Sequence, residues 1–301
     1  MHNDSTLQVD LGAIGHNVGV FSTLIGARSS ICGVIKANAY GLGAASLAPV
    51  LRDAGCSMLA VFRVEEAIEV LQSAGPVSVL VLGPTRDLHA LHPLVDPLRQ
   101  GLVHLVVHDH SHARALSRMA REQGVTWKVH LEVDTGLSRG GCLVHETAEL
   151  IHSIMADESL ELAGIMTHYA SAGTNPTDTK MQFQRFSDAL MSAQSLPSTC
   201  TLHAAATSGS LQVPESHMDM IRIGLGWCGV VPGDPSLQGH LPTPLRSAIR
   251  WSSHIAQIKV VAAGQPVGYG GLWTPGRQST LAIVPVGYAD GVPIQAGRQT
   301  G

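Results

Sequence analysis

Charge and aromatic side chains are scarce in this sequence. Charged residues make up 14% of its 301 positions, and Phe, Trp and Tyr together 4%. So sparse a charge content is low for a monomer's surface and points to a partner subunit covering part of it. The net charge of -4 leaves no basic surplus, so no nucleic acid or other polyanion is expected as a partner. The five cysteines (Cys32, Cys56, Cys142, Cys200 and Cys228) are an odd, scattered set without a C-x-x-C. That argues against a disulfide framework or a zinc site and for reduced thiols in a cytoplasm. No apolar run reaches the roughly 18 residues that span a bilayer. The polar start, Met1 to Thr6, has no apolar signal core.

What is present is a hydrophobic content of 45%, enough for one large core or two smaller ones. Short β-branched runs read as strands at Ile31–Lys36, Met58–Val61, Val77–Leu82, Val103–Val107, Trp127–Val133, Leu162–Thr167, Thr199–Ala204 and Met220–Gly224. Between them, Gly43–Ala54, Val64–Gln72, Ala113–Glu122, Glu146–Met155 and Gln182–Ala193 read as amphipathic helices. Eight parallel strand–helix units fit an α/β class chain closed into a (β/α)8 TIM-type barrel, with its site at the C-terminal strand ends. A doubly wound open sheet competes, and periodicity alone does not separate the two. Beyond about Pro232 the long helical patterns stop, and Ser253–Ala262 and Leu281–Val286 read as strands. The expected division is a barrel over 1–235 and a partial, mostly β domain over 236–301, which the first strand is free to join.

Lysine is scarce too: Lys36, Lys128, Lys180 and Lys259 are all there is. Lys36 ends the apolar run Ile31–Ile35 and leads into Ala-Asn-Ala-Tyr-Gly-Leu-Gly. At the open end of a parallel barrel, an apolar wall removes solvent from the ammonium and favours the neutral, nucleophilic amine. The glycines that follow permit tight turns near an anion. A lysine that merely snorkels from a strand end is the bland alternative.

The whole string VIKANAYGLG, Val34–Gly43, resembles the cofactor signature of the alanine racemases, fold-type III pyridoxal-phosphate enzymes. The resemblance implies pyridoxal 5'-phosphate as cofactor, held by Lys36 as a Schiff base, with Tyr40 on its phosphate. Further strings are similar in the same order. They are VLVLGP at Val79–Pro84, DTGLSR at Asp134–Arg139, THYA at Thr167–Ala170, RIGL at Arg222–Leu225, VGYG at Val267–Gly270 and VPVGYADG at Val284–Gly291. The resemblance implies that Arg139 contacts the cofactor and the substrate carboxylate and that Arg222 contacts the pyridine nitrogen. It also implies that His168 assists and that Tyr269 is the second base beside Lys36. Thr207, Gly224 and Leu225 join the cofactor-binding set on the same ground. The implied activity interconverts L- and D-alanine and supplies D-alanine for peptidoglycan. It uses a homodimer whose composite sites take the tyrosine from the partner subunit.

Other signals were weighed. Gly224–Gly229 fits G-x-G-x-x-G, but Val231-Pro232-Gly233 follows, where a dinucleotide fingerprint must open a helix. A single D-T-G at Asp134 lacks the second carboxylate of an aspartic protease. His108, His110 and His112 alternate as metal ligands could, but a solvated loop is the simpler reading and no metal is expected. Rival functions are a broad-specificity or serine racemase, a D-amino-acid aldolase or dehydratase of the same fold type, and a non-catalytic pyridoxal-phosphate-binding protein. Two departures from the family pattern carry expectations. Glu132 stands where many relatives carry a carbamylated lysine, so it is expected to hold Arg139 by a bidentate pair. The family's C-M-D segment and late tyrosine are absent after Gly301, so a truncated product is expected, cofactor-competent but weakly active.

Overall fold

The computed structural model describes residues 4–89 and 91–293. In chain order its strands are β1 (Ser5–Val9), β2 (Ser30–Val34), β3 (Met58–Val61), β4 (Ser78–Val81), β5 (Val103–Val107), β6 (Trp127–Asp134), β7 (Cys142–Leu143), β8 (Leu160–Met166), β9 (Thr201–His203), β10 (Met220–Ile223), β11 (Ile249–Ser253), β12 (Gln257–Val261) and β13 (Ser279–Ile283). Eight of them form one parallel path, β10-β2-β3-β4-β5-β6-β8-β9, with β7 beside β6. The ends meet through an Ala206–Arg222 bridge and an Arg222 N–H that donates to Ala205 O at 2.9 Å. The chain is therefore a nearly closed TIM-like barrel followed by a mostly β part, and the open-sheet alternative falls.

Strands buried on both faces explain the near-continuous apolar runs. Their inward positions Cys32, Val34, Met58, Ala60, Leu80, Val106, Met166 and Met220 pack into one interior cluster. Two of the longer helices begin where a side chain supplies the N-cap. Asp109 accepts from His112 N–H at 2.7 Å ahead of helix His110–Glu122. Asn175 accepts from Asp178 N–H at 3.1 Å ahead of Pro176–Ser192. The first helix, Leu11–Ile25, is not among those read from the sequence. Gly12, Gly15 and Gly19 weaken its intrinsic propensity, and tertiary packing of Ile14, Val18 and Phe21 overrides that.

Two compact units result. One is Leu11–Ala248; the other takes the described residues 4–10 and 249–293. This differs from the division expected at 235/236, because 236–248 belong with the barrel. That segment is irregular, yet buried Asn17 of the first helix ties it down. The Asn17 amide donates to Arg246 O at 2.8 Å and its oxygen accepts from Arg246 N–H at 2.8 Å. In the second unit β1 pairs antiparallel with β11, and β12 with β13. The single strand expected over Ser253–Ala262 is split by a break after Ser253.

Candidate active site

A cavity of about 630 Å³ opens at the C-terminal ends of the barrel strands. Lys36, Tyr40, Arg139, His168, Thr207, Arg222, Gly224 and Leu225 all line it, so the structure brings together every site residue expected from the barrel part of the sequence. The volume lies in the range that encloses a small cofactor or ligand.

Lys36 stands two residues past the end of β2, at the head of a turn in which Ala37, Asn38, Ala39 and Tyr40 all have φ between 53° and 57°. Successive left-handed residues with side chains cost roughly 1–2 kcal/mol each, so the surroundings must hold them. Glu66 does part of this: one oxygen accepts from Ala37 N–H at 2.7 Å, the other from Phe62 N–H at 2.8 Å. The Asn38 side chain accepts from Ala44 N–H at 2.6 Å. The turn aims Lys36 and Tyr40 into the same cavity. Burial pulls the Lys36 ammonium below its usual range, the Arg139 charge adds to this and Glu66 opposes it. Burial, then the Cys228 and Cys32 thiols, push Tyr40 up to about 12, so its hydroxyl stays a donor.

Arg222 is buried on β10. Its NH1 donates to His203 O and meets His203 Nδ1, both at 2.9 Å. Its NH2 donates to Thr167 O at 2.7 Å and Ala204 O at 2.9 Å, and meets His168 Nδ1 at 3.3 Å. A guanidinium has five N–H groups; four are engaged here, and Nε–H is the one with no acceptor among the described residues. Because Arg222 only donates, His168 Nδ1 must accept, which puts the histidine's hydrogen on Nε2. Burial, then the charges of Arg222, Arg139 and Lys36, bring His168 down to about 3, so it is neutral.

At the other end of the cavity the backbone N–H groups of Gly224 and Leu225 have no acceptor among the described residues. A Cβ at Gly224 would stand 2.3 Å from the Tyr40 hydroxyl oxygen, so glycine is what lets that hydroxyl lie against the loop. Thr207 Oγ1 shapes the loop by accepting from Gly226 N–H at 3.2 Å. Free amides and a hydroxyl converging on one place suit a phosphate.

The alanine racemase N-terminal domain matches residues 9–232 and the alanine racemase C-terminal domain residues 248–300. The alanine racemase of Syntrophobacter fumaroxidans is 34% identical over 296 residues, covering 96% of this chain and 75% of that one. The crystal structure of alanine racemase from D-cycloserine producing Streptomyces lavendulae superposes with a TM-score of 0.85 at 29% identity, over 98% of this chain and 77% of that one. The Bartonella henselae alanine racemase with covalently bound pyridoxal phosphate gives 0.81 at 28% identity, over 97% and 78%. The chain belongs to the alanine racemase family. It is thereby an enzyme of the amino-acid racemase class.

Two expectations drawn from the family pattern turn out differently or remain apart. Glu132 does not hold Arg139. Its Oε2 lies 2.9 Å from His108 Nδ1, and no oxygen of it is within ion-pair distance of Arg139. His108 projects from the end of the neighbouring strand β5 and takes the carboxylate first. Arg139 is left with no hydrogen-bond or ion-pair partner among the described residues. Tyr269 belongs to the second unit, in a turn flanked by Gly268, Gly270 and Gly271 at positive φ, and is fully exposed there. Of the alternating histidines, His112 donates its Nε2–H to Thr85 O (2.9 Å) from inside the core and His108 lines the cavity. Among the described residues no group of three His, Cys, Asp or Glu is placed to hold a metal. The sequence reading missed His203 behind Arg222, although a histidine in an apolar strand was its visible signal.

Proposed function

We propose that this alanine racemase family member interconverts L- and D-alanine with pyridoxal 5'-phosphate, and that the D-alanine serves peptidoglycan. The observation that carries the reading is the donor set of one cavity. A readily neutral lysine, a guanidinium without a partner and a spare Arg222 Nε–H stand in it together with free loop amides. That set fits the cofactor group by group. Lys36 would hold its aldehyde carbon, Arg222 Nε–H its ring nitrogen, and Gly224, Leu225, Tyr40 and Thr207 its phosphate end. When bound, pyridoxal phosphate withdraws the electrons of a broken Cα–H bond.

The residues then divide the remaining work. Lys36 Nζ holds or returns the proton on one face of the substrate, and the Tyr269 hydroxyl does so on the other. Arg139, unpaired, binds the substrate carboxylate. Neutral His168, its Nδ1 committed to Arg222, has an N–H on Nε2 with which to steady a nearby oxyanion. Arg222 gives a hydrogen bond without giving up a proton, which favours returning a proton to Cα over decarboxylation or transamination. Tyr269 comes from the partner subunit of a homodimer, so that two chains make two composite sites. The full exposure of Tyr269 and the exposed Trp251 and Val260 of the same unit support this. The five cysteines, all free and buried, support work in a reducing cytoplasm.

The test is racemisation of L- and D-alanine followed by circular dichroism, with the cofactor's near-visible absorbance read alongside. Lys36→Ala is expected to remove both. A Lys36→Ala protein that still holds the cofactor covalently would overturn the assignment.

A further inference from the structure

Behind Arg222, three buried histidines run through the barrel interior. His203 Nε2 lies 2.8 Å from His130 Nδ1, and His130 Nε2 lies 2.8 Å from His104 Nδ1. The Arg222 end fixes the direction of this row. Arg222 NH1 can only donate, so His203 Nδ1 carries a lone pair and its ring hydrogen sits on Nε2. That hydrogen is donated to His130 Nδ1. His130 therefore holds its own on Nε2 and donates to His104 Nδ1, and His104 keeps an N–H on Nε2.

Neutral rings are what the surroundings favour. Burial, Arg222 and the neighbouring histidines hold His203 well below its usual range. Burial, His104 and Arg222 do the same for His130. Burial and Lys128 bring His104 down to about 4, against a backbone contact at Gly101.

The backbone is shaped around the middle ring. The β6–β8 register shifts between Val129 and His130. Opposite stands Gly164, where a Cβ would lie 2.3 Å from His130 Nδ1. A register slip re-aims a side chain, and a strand glycine marks a close approach. Together they seat His130 between its two neighbours.

A proton route is excluded as the purpose. It would need an end that both gives and takes protons, and Arg222 does not release one. What remains is orientation and charge. Among the described residues no carboxylate lies within ion-pair distance of Arg222; its acceptors are carbonyls and imidazoles. Each imidazole of the row turns its lone pair toward the guanidinium, so the dipoles add and stand in for a counter-ion.

We propose that His130 and His104 are positioning residues, which with His203 form a one-way hydrogen-bonded row that orients Arg222 and leaves its Nε–H as the donor offered to the cavity. That this donor meets the cofactor's ring nitrogen rests on the function proposed above; the row itself does not.

Heteronuclear NMR of isotope-labelled histidines in cofactor-free protein reads the tautomers directly. The expected result is His203, His130 and His104 all neutral with Nε2–H. His130→Leu breaks the row, whereas His130→Gln keeps an acceptor toward His203 and a donor toward His104. The Leu variant is expected to mix the His203 tautomers, shift the absorption maximum of bound cofactor and weaken its binding about tenfold, as removing the group behind a ligand does elsewhere. The Gln variant is expected to restore all three. Gly164→Ala, which displaces the ring without changing a donor or acceptor, should reproduce the Leu result. Should His130→Leu not fold, His104→Leu against His104→Gln makes the same comparison from the far end. An Nδ1–H tautomer at His203 in the unaltered protein overturns the proposal. So does a folded Leu variant with unchanged His203 signals and cofactor spectrum. If the protein does not racemise alanine, only the functional reading falls, because the tautomers are measured without turnover.

Discussion

The barrel unit and the second unit treat the same kinds of residue in opposite ways. In the barrel, β3 is buried at all four positions and β5 at all five. Even polar groups such as Asn17, His130 and Arg222 are sealed inside. Among the described residues of the second unit only Val261 and Pro275 are buried, and β11 is exposed along its whole length. The barrel thus places a side chain such as Arg222 by burial and by named acceptors. The second unit holds Tyr269 on a glycine turn in solvent. In the function proposed above, the two proton-exchanging groups, Lys36 and Tyr269, would therefore stand in parts of the chain with different means of control.

The largest expected effect tests that separation. Tyr269→Phe should slow racemisation by about 10²–10⁴-fold, the usual loss for a general acid–base, while cofactor absorbance stays as in the unaltered protein. If absorbance falls as well, the second unit takes part in binding and the contrast is wrong. Next comes stability, read by chemical denaturation. Leu59→Ala, fully buried on β3, should cost about 2–5 kcal/mol. Ile258→Ala, at 59% exposure on β12, should stay within about 0.5 kcal/mol. Equal costs would mean that Ile258 is covered in solution.

A third effect is in acid. His104 at about 4 and His168 at about 3 are depressed by burial first, then by Lys128 and by Arg222, Arg139 and Lys36 respectively. A base whose folded value is lowered binds more protons when unfolded. Stability should therefore fall as pH drops from about 6.5 toward 4, by about 1.4 kcal/mol per pH unit for each such proton. Urea midpoints across that window check this, and His104→Gln should flatten the slope. A flat profile would show that the histidines are protonated in the folded barrel.

Much of this was legible in the sequence. The strands Met58–Val61 and Val103–Val107 were read to the residue, since short apolar runs between helical patterns have few other solutions. The cavity residues Lys36, Tyr40, Arg139, His168, Arg222, Gly224 and Leu225 followed from the motif strings, and Thr207 from the family resemblance alone. The histidine row did not, because strands buried on both faces show no alternation telling inward from outward. His104 and His130 therefore read like any other strand position. The left-handed turn at 37–40 was hidden as well, since its residues before Gly41 are not glycine. The Glu132–Arg139 pairing failed for a third reason. A glutamate carries its carboxylate on a shorter stem than the family's carbamylated lysine, and His108 from the next strand lies 2.9 Å from it.

The bonds of Arg222 also bear on how its variants are read. The barrel closes where β10 meets the chain at and after β9, and that seam has few backbone links. The guanidinium reaches across it to His203 O and Ala204 O, and on to Thr167 O after β8. It acts as a rivet at the one place where the cylinder is stitched shut. Arg222→Gln should therefore loosen the seam, raising amide hydrogen exchange in Leu202–Ala206 and Met220–Ile223, before any question of chemistry arises. A drop in turnover in that variant measures mechanical integrity and reactivity at once.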